Sequence, residues 1–167
     1  MDDNKKQWIL AIVLVILVIV VICVNLFNRG TTKTELDTSI KLLNDRNRFF
    51  EVSNSVDKFI KYVASKDEDS ILKIISSEYL EDNNISETFI LNIVPNISGN
   101  YMFSASKIYQ QQLSETVYKY YVKGYYYQDT IDGAGPSNDY YVIVYFYTEN
   151  MTFSIEPYDG KIFEGDL

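Results

Sequence analysis

Histidine is absent from this chain of 167 residues, and cysteine occurs once, at Cys23. Without histidine the chain lacks the commonest general base, the commonest zinc ligand and the usual side chain for sensing pH near neutrality. Catalytic triads and dyads that depend on histidine are therefore excluded. Because Cys23 lies near the N-terminus, the residues after it carry neither a disulfide nor a reactive thiol. We predict a protein that is not an enzyme and that has no cofactor or metal site.

Basic residues are also in short supply, with 15 Lys and Arg against 23 Asp and Glu and a net charge of −8 at pH 7. Phosphate neutralisation needs clustered Lys and Arg, so we predict that the chain binds no nucleic acid. The same charge argues against docking on anionic lipid headgroups. Proline and tryptophan are scarce while Asn, Ile, Lys, Tyr and Ser are abundant, a composition typical of an AT-rich bacterium.

The longest apolar run, Trp8–Phe27, holds 20 residues without a charge. A helix of this length spans about 30 Å, which is the thickness of the hydrocarbon core of a bilayer. The residues after the run offer no small-x-small cleavage site, and the bulky Ile22 before Cys23 argues against a lipoprotein signal. We predict a transmembrane helix at 8–27 after a short N-terminal tail, 1–7.

Charges on the two sides of this run are nearly balanced, with Lys5 and Lys6 before it and Arg29 and Lys33 after it. Long domains translocate largely regardless of charge, and a short tail has no evident function outside the cell. We therefore expect the N-terminus inside the cell membrane and the C-terminal domain on the extracytoplasmic side.

The segment 28–46 is predicted to be a polar linker with a short juxtamembrane helix, because Leu36, Ile40 and Leu43 have helical spacing. The soluble domain, 47–167, opens with apolar residues at helical spacing, which predict a helix of four to five turns with one buried side. That apolar stripe consists of Phe49, Val52, Val56, Phe59, Ile60 and Val63.

Two shorter helices are predicted before residue 100. The run Lys66–Asp69 starts the first, because acidic side chains complement the dipole in a first turn, and its buried side continues through Ile71–Leu80. Ser86 caps the second, which Pro95 ends.

After Asn100 the apolar residues alternate, which predicts strands. Connections between them are short, so the strands are predicted to be antiparallel neighbours, and the Gly- and Pro-containing segment Gln128–Asp139 is predicted to be an irregular loop. Gly124 is predicted to mark a bulge. The strands are placed near Tyr101–Leu113, Thr116–Tyr127, Tyr140–Thr148 and Met151–Glu156.

The third of these strands is apolar on both faces, so one alternating set should face the helices. We predict that Val142, Val144 and Phe146 do so, because they carry no hydroxyl that needs a partner. The opposite face should then present Tyr141, Tyr145 and Tyr147.

Three helices on one face of a curved four-stranded antiparallel sheet define an α+β domain. This order of elements resembles the nuclear-transport-factor-2-like (cystatin-like) superfamily. With the short tail and single anchor, it is especially similar to the bitopic assembly component of type IV secretion and conjugation systems. The resemblance implies a fold of this kind and a role in assembly, and it assigns no site residues.

Tyrosine is the strongest compositional signal, since thirteen of the 15 tyrosines lie between Tyr101 and Tyr158. Tyrosine is favoured both in strands and at protein interfaces. We therefore expect a scaffold or assembly module that binds a protein partner or a second copy of itself. The alternative is a ligand-binding or sensory domain with an apolar pocket. The candidate interaction surface consists of Tyr120, Tyr141, Tyr145 and Tyr147.

Overall fold

The computed structural model describes residues 13, 15–20, 36–130 and 133–165. The chain divides into two compact units, Met1–Glu35 and Leu36–Leu167. In the first unit the described residues are helical and exposed, and the rest of the predicted tail and span lies outside the described residues. Within the described part of the chain, no helix combines the length and apolarity needed to cross a membrane.

Helices occupy the second unit between residues 46 and 92, and the first three of them begin at polar side-chain caps. They are α1 (Arg46–Ser65), α2 (Glu68–Leu72), α3 (Ser77–Asp82) and a 3-10 helix (Glu87–Asn92). The Asp45 side chain accepts hydrogen bonds from free backbone amides in the first turn of α1, and Asp67 and Ser76 cap α2 and α3 in the same way. The long amphipathic helix predicted from the apolar stripe is therefore confirmed.

The predicted second helix is divided into α2 and α3 because the chain between them joins the sheet. The Ile155 amide donates to the Ile74 carbonyl at 2.8 Å, and the Ser76 amide donates to the Ile155 carbonyl at 3.0 Å. Backbone groups committed to a strand are not available to a continuous helix.

The sheet has five strands rather than the four predicted, all antiparallel and in chain order. The additional strand, β1, is Lys41–Leu42, so the helix predicted over Leu36–Leu43 is wrong. Lys41 and Leu42 pair with β2, and the Leu43 amide donates to the Ile108 carbonyl at 2.9 Å. Helical backbone there would leave this part of the β2 edge unpaired. The others are β2 (Tyr101–Gln112), β3 (Val117–Thr130), β4 (Gly133–Tyr147) and β5 (Thr152–Pro157).

The prediction of an irregular loop at Gln128–Asp139 is also wrong. Pairing of β3 with β4 continues through a register shift to Thr130 opposite Gly133. Proline is tolerated in a strand whose other side is unpaired, and β5 pairs only with Val142–Tyr147 of β4. Pro136 therefore does not interrupt the strand.

One core lies between the helices and the sheet. The α1 side chains Val56, Phe59, Ile60 and Val63 are fully buried in it. From β4 it receives the predicted set Val142, Val144 and Phe146, which are 0, 1 and 9% exposed. The predicted orientation of β4 is confirmed.

Gly124 allows β2 and β3 to approach closely beside a bulge. A Cβ at this position would lie 2.3 Å from Phe103 Cζ and 2.4 Å from the Ser104 carbonyl oxygen. The register shifts between Ala105 and Lys107, directly after the pair formed by Ala105 and Gly124. The extra residue is Ser106 of β2, so the bulge lies on the strand opposite Gly124 and not in β3, where it is predicted.

Both edges of the sheet are partly capped by other elements. On β2, the Phe103 amide donates to Asp57 Oδ1 at 2.8 Å and the Ala105 amide to Ser53 Oγ at 3.3 Å, both on α1. On β5, the Ile155 backbone is paired as described above. Capped edges resist the addition of another strand, so a partner is more readily accommodated on a face of the sheet.

Candidate interaction face on the outer side of the sheet

The face of the sheet that points away from the helices, here called the outer face, is set by strand register. Its cross-strand pairs put Lys123 opposite Tyr141 and Lys119 opposite Tyr145, with Tyr109 of β2 opposite Tyr121. Side chains on one face alternate along each strand. The central outer-face residues are Tyr109, Lys119, Tyr121, Lys123, Tyr141, Ile143, Tyr145 and Tyr147.

The C-terminal segment, Tyr158–Glu164, lies across this face. The ring of Phe163 is 5.5 Å from that of Tyr109 and 5.7 Å from that of Tyr141. The ring of Tyr158 is 5.6 Å from that of Tyr121 in an edge-on contact. Tyr109 is only 5% exposed although it lies outside the helix-facing core, so the C-terminal segment shields it.

A glycine makes this close crossing possible. Gly160 has φ +81°, a left-handed conformation, and a Cβ there would lie 2.9 Å from Tyr141 Cδ1. It precedes a short 3-10 helix, Lys161–Phe163. The Ile162 amide donates to the Tyr158 hydroxyl at 2.9 Å, which fixes the turn.

Lysines lie between the tyrosines of the outer face. Lys119 Nζ is 5.2 Å from the Tyr121 ring centroid and 5.3 Å from that of Tyr145. Lys123 Nζ is 5.8 Å from the Tyr141 ring centroid. Ammonium groups at this distance are attracted by the negative face of the ring. The outer face therefore places lysines among tyrosines in a chain with a net charge of −8, and it also carries the carboxylate of Glu156 beside Tyr145.

Partial burial keeps the outer-face phenols neutral. Burial raises the pKa of Tyr121, whose hydroxyl donates to Gln111 Oε1 at 3.3 Å. Burial also raises the pKa of Tyr145, and a hydrogen bond with Lys119 opposes this increase. Both hydroxyls are therefore protonated at neutral pH. The Tyr121 hydroxyl donates to Gln111, and the Tyr145 hydroxyl forms hydrogen bonds with Lys119 and Glu156. Among the described residues, no group of three or more potential ligands is placed to hold a metal ion.

The structure brings together three of the four predicted surface residues. Tyr141 and Tyr145 are half-buried and Tyr147 is 37% exposed. Tyr120 was wrongly assigned to this surface, because it pairs with Val144 on the helix-facing side and is 2% exposed. Burial in the core raises its pKa to about 12.

Sequence reasoning missed the lysines and the C-terminal segment as parts of this face. Lys119 and Lys123 alternate with Tyr121 in β3, which would have placed all three on one side of the strand. No periodic signal in Tyr158–Glu164 indicates that the segment folds back onto the sheet.

A second concave surface lies between α1 and the strands β4 and β5. This groove has a volume of about 380 Å³. At its polar rim, the Arg48 guanidinium lies 4.3 Å from the Phe146 ring centroid, and its Nη1 is 2.7 Å from Glu51 Oε2. Its walls are formed by Arg48, Glu51, Val52, Asn54, Ser55, Lys58, Val144, Phe146, Met151 and Phe153.

No protein-family model matches the chain, and no curated protein matches it. Among solved structures, the chain is similar to one described as an "Ntf2 like protein involved in plasmid conjugation", with 15% sequence identity and a TM-score of 0.42. The alignment covers 74% of this chain and 44% of that one, so the chain spans less than half the length of that protein.

Proposed function

We propose that this chain is a single-pass membrane protein of the bacterial cell envelope that acts as a protein-interaction module. Its α+β domain, of nuclear-transport-factor-2-like type, lies on the extracytoplasmic side and binds a protein partner or a second copy of itself. It has no enzymatic activity in this proposal. The observation that carries the proposal is the tyrosine- and lysine-rich outer face of the sheet.

The composition and exposure of this face support a binding role. Tyrosine is enriched at interfaces because a large, fairly rigid ring ends in a hydrogen-bonding hydroxyl. Tyr125 and Tyr147 are 38 and 37% exposed, and Leu42 of β1 is 47% exposed. At the edges capped by Asp57 and at Ile155, a partner would contact side chains of the face instead of extending the sheet.

The proposed membrane attachment rests on the uncharged run 8–27. Full-length protein should remain in the membrane fraction after a carbonate wash, which removes peripheral proteins. A reporter fused after Leu167 should be active only outside the cytoplasm. Recovery of the protein in the carbonate wash or the medium would contradict the anchor, and reporter activity inside would reverse the orientation.

The interaction face is tested by the double substitution Tyr145→Ser and Tyr147→Ser. We expect cross-linked adducts recovered from membranes to fall at least about tenfold, while the thermal unfolding midpoint shows that the variant is folded. The matched control is Phe89→Ser, which removes an aromatic ring that is 59% exposed on the helical side. Equal adduct yields in the double variant and in the wild type would contradict the proposal.

The groove beside α1 favours a second candidate function, the binding of a small apolar ligand. A few hundred Å³ with apolar walls and a polar rim is typical of ligand sites. An anilinonaphthalene sulfonate dye should then fluoresce with the wild type and much less with Met151→Glu. Met151 is 66% exposed, so the substitution should preserve the fold. Equal fluorescence with both proteins would exclude the groove as the dye site.

A further inference from the structure

We propose that the outer face recognises a short acidic segment with a central aromatic residue, and that the C-terminal segment of the chain occupies this site until a partner displaces it. This inference rests on the proposed interaction function and specifies the chemistry of the partner. The partner contacts the face through an aromatic side chain and through carboxylates.

The aromatic requirement comes from the position of Phe163. Its ring packs against two outer-face tyrosines at once, tilted by 33° to Tyr109 and by 39° to Tyr141. Tyr109 and Tyr141 belong to different strands, so the site between them is built by the folded sheet. A partner with an aromatic side chain can fill the same site only after Phe163 has left it.

The acidic requirement comes from charge. Lys119 and Lys123 lie on the outer face, whereas the chain as a whole carries −8. The segment now seated there carries two exposed carboxylates, Asp159 and Glu164, on either side of Phe163. Asp159 also pairs with Lys161 at 2.5 Å, and this hydrogen bond lowers its pKa, so the carboxylate is charged at neutral pH.

The resident segment is attached mainly through its rings. Its backbone bonds within 158–164 are local, from Phe163 to the Gly160 carbonyl at 2.9 Å and from Glu164 to the Lys161 carbonyl at 3.1 Å. The Tyr158 amide donates to the Tyr141 carbonyl at a longer 3.3 Å. Because the segment adds no strand to the sheet, another segment can replace it without breaking the pairing of strands.

Nucleic acid is the competing occupant, since tyrosines and lysines can also stack on bases and bind phosphates. The net charge of −8 disfavours it, because a polyanion would be repelled by the rest of the domain. A short acidic peptide carries far fewer charges and meets less repulsion. We therefore favour the peptide.

The experiment uses full-length protein in detergent and a fluorescent peptide with the sequence of residues 158–167, YDGKIFEGDL. Phe163→Ala should free the site, so fluorescence polarisation should show peptide binding at least tenfold tighter than with the wild type. Peptides with Phe replaced by Ala, or with Asp and Glu replaced by their amides, should bind at least tenfold more weakly. Stronger binding of a single-stranded oligonucleotide than of the peptide would assign the face to nucleic acid.

Two controls separate the site from general effects. Adding Tyr141→Ser to the Phe163→Ala protein should abolish peptide binding, whereas adding Phe89→Ser, on the helical side, should change it less than threefold. In the wild type, excess peptide should accelerate hydrogen exchange at residues 158–164, a result that does not depend on any variant folding. Unchanged exchange together with equal binding by the wild type and Phe163→Ala would overturn the inference. Peptide binding without loss of cross-linking in the Tyr145 and Tyr147 variant would instead refute the proposed interaction function.

Discussion

Replacement of Phe59 by alanine tests the packing of α1 on the sheet. Phe59 is fully buried, in the middle of the apolar side of α1 and between Val56 and Val63. The substitution removes the ring and leaves a cavity, which costs about 3–5 kcal/mol at buried phenylalanines. That loss is a large share of the stability of a small domain, which is typically about 5–15 kcal/mol.

The same loss should appear in thermal unfolding. For a domain of this size, each kcal/mol lowers Tm by roughly 4 °C, so Phe59→Ala should lower it by about 12–20 °C. Urea unfolding should show a lower midpoint at an unchanged slope, which attributes the effect to the folded state.

Phe50→Ala is the matched control, because Phe50 lies on the same helix and is 51% exposed. It should cost less than about 1 kcal/mol. A loss below about 1 kcal/mol for Phe59→Ala, or equal losses for the two variants, would refute the orientation of α1.

Three further predictions concern the sheet. Gly124→Ala should lower the unfolding midpoint in urea more than any surface Gly-to-Ala change. The new Cβ would overlap the Phe103 ring and the adjacent backbone at 2.3–2.4 Å. An unchanged midpoint would contradict this close approach. Asp57→Ala removes the acceptor of the Phe103 amide, so it should cost about 1–3 kcal/mol of stability and speed hydrogen exchange at that amide. An amide that stays protected would show that another group accepts its hydrogen bond. Burial raises the pKa of Tyr120 to about 12. The contribution of Tyr120 to stability should therefore be complete below about pH 10 and be lost as pH rises through about 12, which urea midpoints and tyrosinate absorbance would measure. Constant midpoints over that window would contradict its burial.

The orientation of β4 could be predicted because its two faces differ chemically. Val142, Val144 and Phe146 alternate with tyrosines, and only one set lacks hydroxyls. The same reasoning applies to Tyr120, because Lys119, Tyr121 and Lys123 alternate with it in β3 and mark the opposite side of the strand. The pairing of Tyr120 with Val144 then places it among the helix-facing residues.

Features that depend on pairing between distant parts of the chain could not be predicted from local sequence. The apolar residues around Lys41 and Leu42 have helical spacing, but these two residues pair with the edge of β2 as a strand. Asp57 lies on the polar face predicted for α1, which suggests a solvated residue. Its carboxylate instead accepts a hydrogen bond from the Phe103 amide. Gly160 packs against Tyr141 and so positions the C-terminal segment. This contact joins two distant regions of the chain, and the local sequence of neither region indicates it.

The central claim, that the outer face binds a protein, is tested most directly by photo-crosslinking in cells. Benzoylphenylalanine would replace Tyr147 on the outer face or Phe89 on the helical side, both exposed positions in the full-length chain. The account predicts a discrete crosslinked protein adduct from position 147 and none from position 89. An adduct from position 89 alone would contradict it.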